Sequence, residues 1–291
     1  MPFSVQLGLL LAVATAFASI VGFLYKQRGA AESPPIEWRH PVKTSLLLFR
    51  SRWYTLGIAI AMGSWGLHSA ALALAPISLV QSVIAGGLVL LTVVADRLFG
   101  FEVTRREWIG VALTAAGLAF LAATLAGVGD DRHSDWQPLQ LTLYVSIAAA
   151  AGLVTAALAS EDEQGGTLLA VSSGLLWGAS DVSIKALSAD TGDGLGVLLH
   201  PLALVILALS LVGLTVSARS LQLGRAVPVI AITGAAANVV TIAAGPAIFG
   251  EPLPDRPLGV ILRLLAFALV IVASALTPGP IRVAQAEAAR A

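Results

Sequence analysis

The chain has 291 residues, of which 57% are hydrophobic and only 12% charged, and its formal net charge is zero. A soluble domain carries about 25% charged residues, so a chain this apolar cannot cover a water-facing surface. The neutral balance gives no reason to expect a nucleic-acid partner. Because there are no cysteines, disulfides, thiol catalysis and thiolate metal sites are excluded.

Nine stretches are long and apolar enough to cross a bilayer, which takes about 20 residues per helix. In chain order the predicted spans are 4–25, 54–75, 77–98, 108–128, 139–160, 167–187, 196–218, 226–249 and 258–277. We therefore expect an all-α, polytopic transmembrane bundle whose outer surface contacts the lipid bilayer.

The connection between the first two spans, from Lys26 to Trp53, is the long one. Its Pro34-Pro35 pair interrupts helix, and its basic residues with Trp38 and Trp53 are typical of a segment at the membrane–water interface. We expect Lys26 to open this loop at the cytoplasmic face.

Lys and Arg residues are unevenly divided between the two sides of the predicted bundle. Thirteen of the 17 fall on the side that holds the first loop and the C-terminal tail, residues 278–291. Cytoplasmic loops carry the excess of Lys and Arg. The distribution predicts a plasma (inner) membrane protein with its N-terminus outside and its C-terminus in the cytoplasm.

An internal repeat relates the two halves of the chain. A shift of 149 residues superposes Glu102 and Gly110 on Glu251 and Gly259, with apolar matches around them. The predicted units are 1–128, a connecting helix at 139–160, and a second unit at 167–277. Because the first and sixth spans are an odd number of crossings apart, the units must run in opposite directions, which makes an inverted 4+1+4 arrangement.

Three stretches resemble a known module. Residues 72–81, 99–102 and 108–117 are similar to the EamA module of the drug/metabolite transporter superfamily. Nine helices with a long first loop are more similar to the NIPA-type magnesium transporters, a branch of that superfamily. The resemblance implies a membrane carrier and, for this branch, Mg²⁺ as the solute.

The chain departs from the NIPA-type pattern in its second span. When the pattern is aligned on Ala75-Pro76, Trp65 and His68 stand where that branch has an acid and an amide. Mg²⁺ prefers oxygen ligands and dehydrates reluctantly. Without that acid, Asp181 is the one carboxylate deep within a predicted span, so magnesium transport remains an alternative that this site chemistry supports poorly.

Asp181 is the strongest functional candidate, because an ionisable side chain inside a span is costly. On the sixth span Trp177, Asp181 and Lys185 share one face at helical spacing. Gly174 and Gly178 lie on that face too and would admit a neighbouring helix. Trp177 could offer a flat wall to an organic solute or a cation. The alternative, weighed evenly, is a self-neutralising ion pair between Asp181 and Lys185.

Polar side chains in the outer halves of four spans are expected to meet at one level: His68, Gln81, Asp181 and Arg263. Arg263 would be a counter-ion for Asp181 or would snorkel outward to Asp255. His68 would lie in a pathway or donate to a backbone carbonyl, and Asn238 would line a cavity or bridge helices. Trp65 would line the pathway or serve packing. The candidate pathway residues are therefore Trp65, His68, Gln81, Trp177, Asp181, Lys185, Asn238 and Arg263.

Inverted repeats are typical of carriers that bind their solute near the midplane between the repeats. We expect a secondary transporter of a small-molecule solute or metabolite that works by alternating access, with proton coupling through Asp181 or His68 left open. No phosphate-binding loop or metal-ligand spacing of the four histidines appears, so we predict neither an enzyme nor a cofactor or resident metal. The alternatives are a Mg²⁺ transporter and a non-transporting or lipid-handling membrane partner, and a homodimer is compatible with either.

Overall fold

The computed structural model describes residues 2–84, 135–189, 199–224, 226–254 and 256–276, together with Gly86, Ile109 and Leu113. The helices of these residues are α1 (Phe3–Ala31), α2 (Pro41–Leu48), α3 (Arg52–Leu74), α4 (77–84), α5 (Pro138–Ala157), α6 (Glu163–Leu187), α7 (Pro201–Leu223), α8 (Ala226–Ile248) and α9 (Pro257–Leu276). No strand occurs in this part of the chain, so the predicted all-α class is confirmed there.

Helices α1, α3, α5, α6 and α7 are each long and apolar enough to cross a membrane. Shorter apolar stretches occupy Ile232–Ile248 in α8 and Pro257–Ala266 in α9. The predicted spans at 77–98 and 108–128 lie largely outside the described residues, so the number of nine spans stays a prediction.

The first helices of the two predicted repeats run in opposite directions. Helix α1 is antiparallel to α3, because Gly8 lies beside Ala75 while Gly29 lies beside Tyr54. Helix α3 is parallel to α6. His68 contacts Asp181, and four residues later along both helices the Leu72 carbonyl oxygen accepts a hydrogen bond from Lys185. Helices α1 and α6 are therefore antiparallel, as an inverted repeat requires, although the full 4+1+4 arrangement remains a prediction.

Helix α6 lies at the centre of the bundle. In its most apolar stretch 67% of residues are buried, against 33% or less in the other four long helices. Its glycines allow the backbone of α8 to come close: a Cβ at Gly178 would lie 2.7 Å from Val240 Cβ, and one at Gly174 would lie 2.6 Å from Ala236 Cβ. The predicted close approach to this face is confirmed, and α8 is the helix that makes it.

Helix α6 begins with a local cap at the end that the predicted orientation places on the cytoplasmic side. The two ends of the bundle are called inner and outer according to that predicted orientation. The Asp162 carboxylate accepts a hydrogen bond from the Gly165 N–H at 2.8 Å and one from the Ser160 hydroxyl at 2.5 Å. These two donors, the hydroxyl first, hold the pKa of the Asp162 carboxyl below its ordinary value of 3.8. A carboxylate at this position also suits the positive end of the helix dipole.

Three helix ends differ from the sequence prediction by five or more residues. The first span was expected to end at residue 25 with Lys26 in the loop, but α1 continues to Ala31 and Lys26 is buried within it. Gly57 makes this burial possible, since a Cβ there would lie 2.8 Å from Lys26 Cγ. The seventh span was expected at 196–218, but α7 occupies Pro201–Leu223. Its polar last turn packs against the start of α6, where the Ser220 hydroxyl donates to the Gly166 carbonyl oxygen, and Arg219 pairs with Glu161 just before that helix.

Candidate functional site

A narrow cavity of about 170 Å³ lies between α1, α3, α4, α6 and α8. Its lining on α1 extends from Thr15 to Lys26, which lie 11 positions and about 16 Å apart along the helix. The polar lining consists of Thr15, Ser19, Lys26, Ser64, His68, Gln81, Asp181, Thr233 and Asn238. The cavity therefore brings together side chains that are costly to hold inside a bilayer.

At the outer end of the cavity three of these side chains form one cluster. His68 Nε2 lies 3.1 Å from Asp181 Oδ1, and the Gln81 amide donates to Asp181 Oδ2 at 3.2 Å. Gln81 Nε2 also approaches His68 Nε2 at 3.5 Å. Since the carboxylate is an acceptor, His68 must carry its proton on Nε2 to bond Asp181, and two N–H groups then face each other between Gln81 and His68.

This tautomer leaves the second ring nitrogen of His68 free to take a proton. Nδ1 is buried and has no hydrogen-bond partner among the residues that the structure describes. Protonation there would give an imidazolium directly paired with the Asp181 carboxylate.

The inner end of the cavity has the opposite character. The Lys26 ammonium lies 3.8 Å from the centroid of the Phe23 ring and 5.4 Å from that of Trp177. The two rings contact each other at a centroid distance of 6.4 Å. Lys26 is 2% exposed, and within the described ranges no carboxylate or other acceptor contacts it. In the described part of the chain, the faces of these aromatic rings are what stabilises its charge.

Hydroxyl groups line the middle of the cavity. Ser64 Oγ donates to the Thr15 carbonyl oxygen at 3.1 Å and lies 2.6 Å from Ser19 Oγ, which joins α3 to α1. On the opposite wall, Thr233 on α8 lies 3.2 Å from the Ser173 hydroxyl of α6. These hydroxyls can exchange partners at little cost, so they can solvate a solute that passes between the two charged ends.

The structure brings most of the sequence-predicted residues to this one cavity: Trp65, His68, Gln81, Trp177, Asp181 and Asn238. Trp65 is 42% exposed and lies at the rim, whereas Asn238 is buried. Arg263 belongs to α9, and its side chain lies outside the described residues. Its predicted role as a counter-ion therefore stays a prediction.

Lys185 lies apart from the cavity, against the expectation that it lines the pathway. Its ammonium donates to the carbonyl oxygens of Leu72 and Ala75, each at 2.9 Å, at the end of α3. Asp181 contacts His68 and Gln81, rather than forming the intrahelical pair with Lys185 that was considered from the sequence.

Lys26 is an ionisable cavity residue that the sequence prediction missed, together with the hydroxyl residues Thr15, Ser19, Ser64 and Thr233. The signal was present: Ser19, Phe23 and Lys26 follow one another at spacings of four and three residues, which places them on one helix face. Because the helix was predicted to end at residue 25, Lys26 was assigned to the loop. Burial of a lysine could not be read from the sequence, because it depends on how closely α3 approaches.

A separate and more open hollow of about 540 Å³ lies where the first loop meets α1 and α3. Its lining includes Arg28, Arg50 and Arg52, and the Arg28 guanidinium stacks 4.0 Å from the Trp53 ring centroid. Arginine with tryptophan suits the membrane–water interface. The described residues that line this hollow include no buried ionisable cluster, so the narrow cavity is the candidate site.

The cavity is poor in metal ligands. Within the described ranges, no group of three or more His, Cys, Asp or Glu side chains is placed to hold a metal ion. Among the residues that the structure describes, Asp181 is the one carboxylate that lines the cavity, and Lys26 puts a positive charge at its other end.

With this geometry established, comparison with known proteins gives one informative relation. The chain is similar to the probable magnesium transporter NIPA9 of Arabidopsis thaliana. The two are 27% identical over 277 residues, which cover 90% of this chain and 78% of that protein. No protein-family model matches the chain, and no solved structure matches it.

Proposed function

We propose that this chain is a secondary transporter that moves a small solute across the membrane by alternating access. The observation that carries the proposal is the cavity lined at both ends by ionisable side chains, between helices α1 and α6 that run in opposite directions. Carriers built from inverted repeats bind their solutes in such a position. The similarity to a probable transporter over nine-tenths of the chain supports the same reading.

We further propose that transport is coupled to protons at the His68–Asp181 pair. The proton would bind His68 Nδ1, and the resulting imidazolium would be stabilised by Asp181, 3.1 Å from Nε2. Loss of that proton on the cytoplasmic side would restore the neutral ring. The cycle changes the charge of the outer end of the cavity by one unit per proton.

The test is solute uptake into proteoliposomes across a panel of metabolites, with and without an imposed pH gradient. We expect at least one solute to accumulate faster when the gradient is applied, and we expect His68→Gln to remove that stimulation. Lys43→Met, at an exposed position on α2, is the matched control. Uptake equal to that of empty liposomes for every solute would overturn the proposal.

Magnesium is the second candidate solute, favoured by the name of the similar protein. The cavity chemistry speaks against it, because one carboxylate is a small ligand set for Mg²⁺ and a buried ammonium repels a divalent cation. Growth of magnesium-starved cells that express the chain would decide between the two. Rescue that is lost in Asp181→Asn would favour magnesium over an organic solute.

A non-transporting or lipid-handling partner was the third reading of the sequence. It predicts a sealed core around Asp181. Asp181 instead lines the cavity, with its side chain 16% exposed, which supports a transporter over that reading.

For location we propose the plasma membrane with the N-terminus outside, following the distribution of Lys and Arg. Reporter fusions at each terminus would test this orientation. A reporter that is active in the cytoplasm at the N-terminus would reverse it.

A further inference from the structure

The buried ammonium of Lys26 has no role in the proton-coupled cluster at the outer end of the cavity. It lies near the inner end of α1, where a lysine would ordinarily reach water. Its side chain instead turns back over Phe23, three residues earlier, and lines the cavity. A lysine in this position faces the space that a solute would occupy.

The surroundings of Lys26 are incomplete for a charged group. An ammonium taken out of water needs a counter-charge or several acceptors, and the faces of Phe23 and Trp177 supply only part of that stabilisation. Among the described residues, no acidic side chain contacts Lys26, and Asp181 is held by His68 and Gln81 at the other end. The missing partner is therefore an anion that enters the cavity.

The walls beside Lys26 limit what that anion can be. Ile20, Phe23, Trp177 and Ile230 surround this end with apolar surface. The cavity has a volume of about 170 Å³. This space suits a small organic acid, whose single negative group faces the ammonium and whose body contacts the rings.

The opposite end of the cavity favours a single negative charge on the solute. Asp181 repels a second carboxylate. The attraction that a dicarboxylate gains at Lys26 is therefore offset by repulsion near the outer cluster. A monoanion with its carboxylate toward Lys26 and its apolar body toward the middle avoids that repulsion.

We propose that Lys26 is an anion-binding residue and that the solute of this cavity is a small organic monocarboxylate with an apolar body. The proposal rests on the proposed transport function for its physiological meaning. Binding at Lys26 can nevertheless be measured without transport, so the two can fail separately.

The first test is calorimetric titration of the purified full chain in lipid nanodiscs. The probes are benzoate, its neutral counterpart benzyl alcohol, and benzylamine, which carries the opposite charge. We expect benzoate to bind at least about tenfold more tightly than either of the other two, since a charge-assisted contact is made with benzoate alone. Lys26→Met should abolish this preference, Lys26→Arg should keep it, and Lys43→Met should leave it unchanged. Equal binding of benzoate and benzyl alcohol to the wild type would overturn the proposal.

The second test uses the wild-type chain, so that it does not depend on whether a variant folds. Reductive methylation with formaldehyde modifies accessible lysine amines and can be quantified at each lysine by mass spectrometry. We expect benzoate to slow methylation of Lys26 several-fold while Lys43 reacts at the same rate. Methylation of Lys26 that is unaffected by benzoate would also overturn the proposal.

The pattern of results separates this inference from the transport function. Charge-dependent benzoate binding without uptake of any solute would leave the anion site in place and remove the transport function. Uptake of neutral or cationic solutes alone, with no benzoate preference, would remove the anion site and leave the transport function.

Discussion

Lys26 and Lys185 are almost equally buried, at 2% and 0% exposure, yet their surroundings differ in kind. Lys185 donates to two carbonyl oxygens at the end of α3, where a helix has acceptors without partners of their own. Lys26 has aromatic ring faces and the open space of the cavity. Burial of a charged group therefore does not identify its role. The role is indicated by whether neighbouring groups supply all the hydrogen-bond acceptors or counter-charges that the charged group needs.

The two ends of the bundle differ in the same way, in whether their polar groups have partners. At the outer end, polar groups are satisfied by one another: Lys185 by the backbone of α3, and Asp181 by His68 and Gln81. At the inner end of the cavity a charge remains without a described partner. We therefore expect changes at the outer lysine to affect stability and changes at the inner lysine to affect the solute.

The largest effect on stability is expected from Lys185→Met. This change leaves the carbonyl oxygens of Leu72 and Ala75 buried without their donor, which should cost about 3 kcal/mol. The measurement is the thermal unfolding midpoint of the detergent-purified chain, with Lys43→Met as the exposed control. An unchanged midpoint would show that Lys185 contributes no more to stability than Lys26, and it would contradict the difference between the two lysines.

A smaller effect, on transport and not on folding, is expected from Asp181→Asn. The asparagine keeps the shape and can still accept from Gln81, but it cannot stabilise an imidazolium at His68. Uptake in proteoliposomes should fall at least about tenfold, equivalent to about 1.4 kcal/mol, while the unfolding midpoint stays close to that of the wild type.

The control for this variant is Glu163→Gln, which removes a carboxylate from the exposed first turn of the same helix. If both variants transport at the wild-type rate, Asp181 has no part in the cycle. If Asp181→Asn fails to fold, the outer cluster is structural like its neighbour Lys185.

A modest effect is expected at the inner end of α6, where the helix is fixed locally by its cap. Asp162→Ala removes the acceptor for the Gly165 N–H and should lower the unfolding midpoint at pH 7 by less than Lys185→Met does. The folded state holds the pKa of Asp162 below 3.8, so its ionised form stabilises the fold above that pH. This contribution is lost as the pH falls through the lowered pKa. The difference between wild type and variant should therefore shrink below about pH 4, and a constant difference across that range would contradict the cap.

The smallest effect on stability is expected from Lys26→Met in the absence of any organic anion. Replacing a buried charge that lacks a counter-ion by an apolar side chain of similar length is neutral or stabilising. The free energy of unfolding should stay within about 0.5 kcal/mol of the wild-type value or rise. A loss comparable to that of Lys185→Met would show that Lys26 has a structural partner, which would erase the difference between the two lysines.

Part of this molecule was predictable from its sequence. Long apolar runs predicted the five described helices that are long enough to cross a membrane. The cost of polar groups in lipid singled out His68, Gln81 and Asp181, which the structure brings together. The end of α1 was predicted wrongly, because a lysine after an apolar run usually marks the membrane surface. The sequence contains no direct signal that Gly57 lets α3 close over Lys26.

What the sequence determined by itself is the class of the molecule: an apolar, helical chain whose few intramembrane polar residues are too costly to be incidental. Tertiary structure decided which of those residues share a space. Helix rotation and the approach allowed by glycines determine whether a side chain meets a carbonyl, a carboxylate or a cavity, and these depend on contacts between segments far apart in the chain. For that reason Lys185 and Lys26, alike in the sequence as basic residues at helix ends, have different partners in the folded protein.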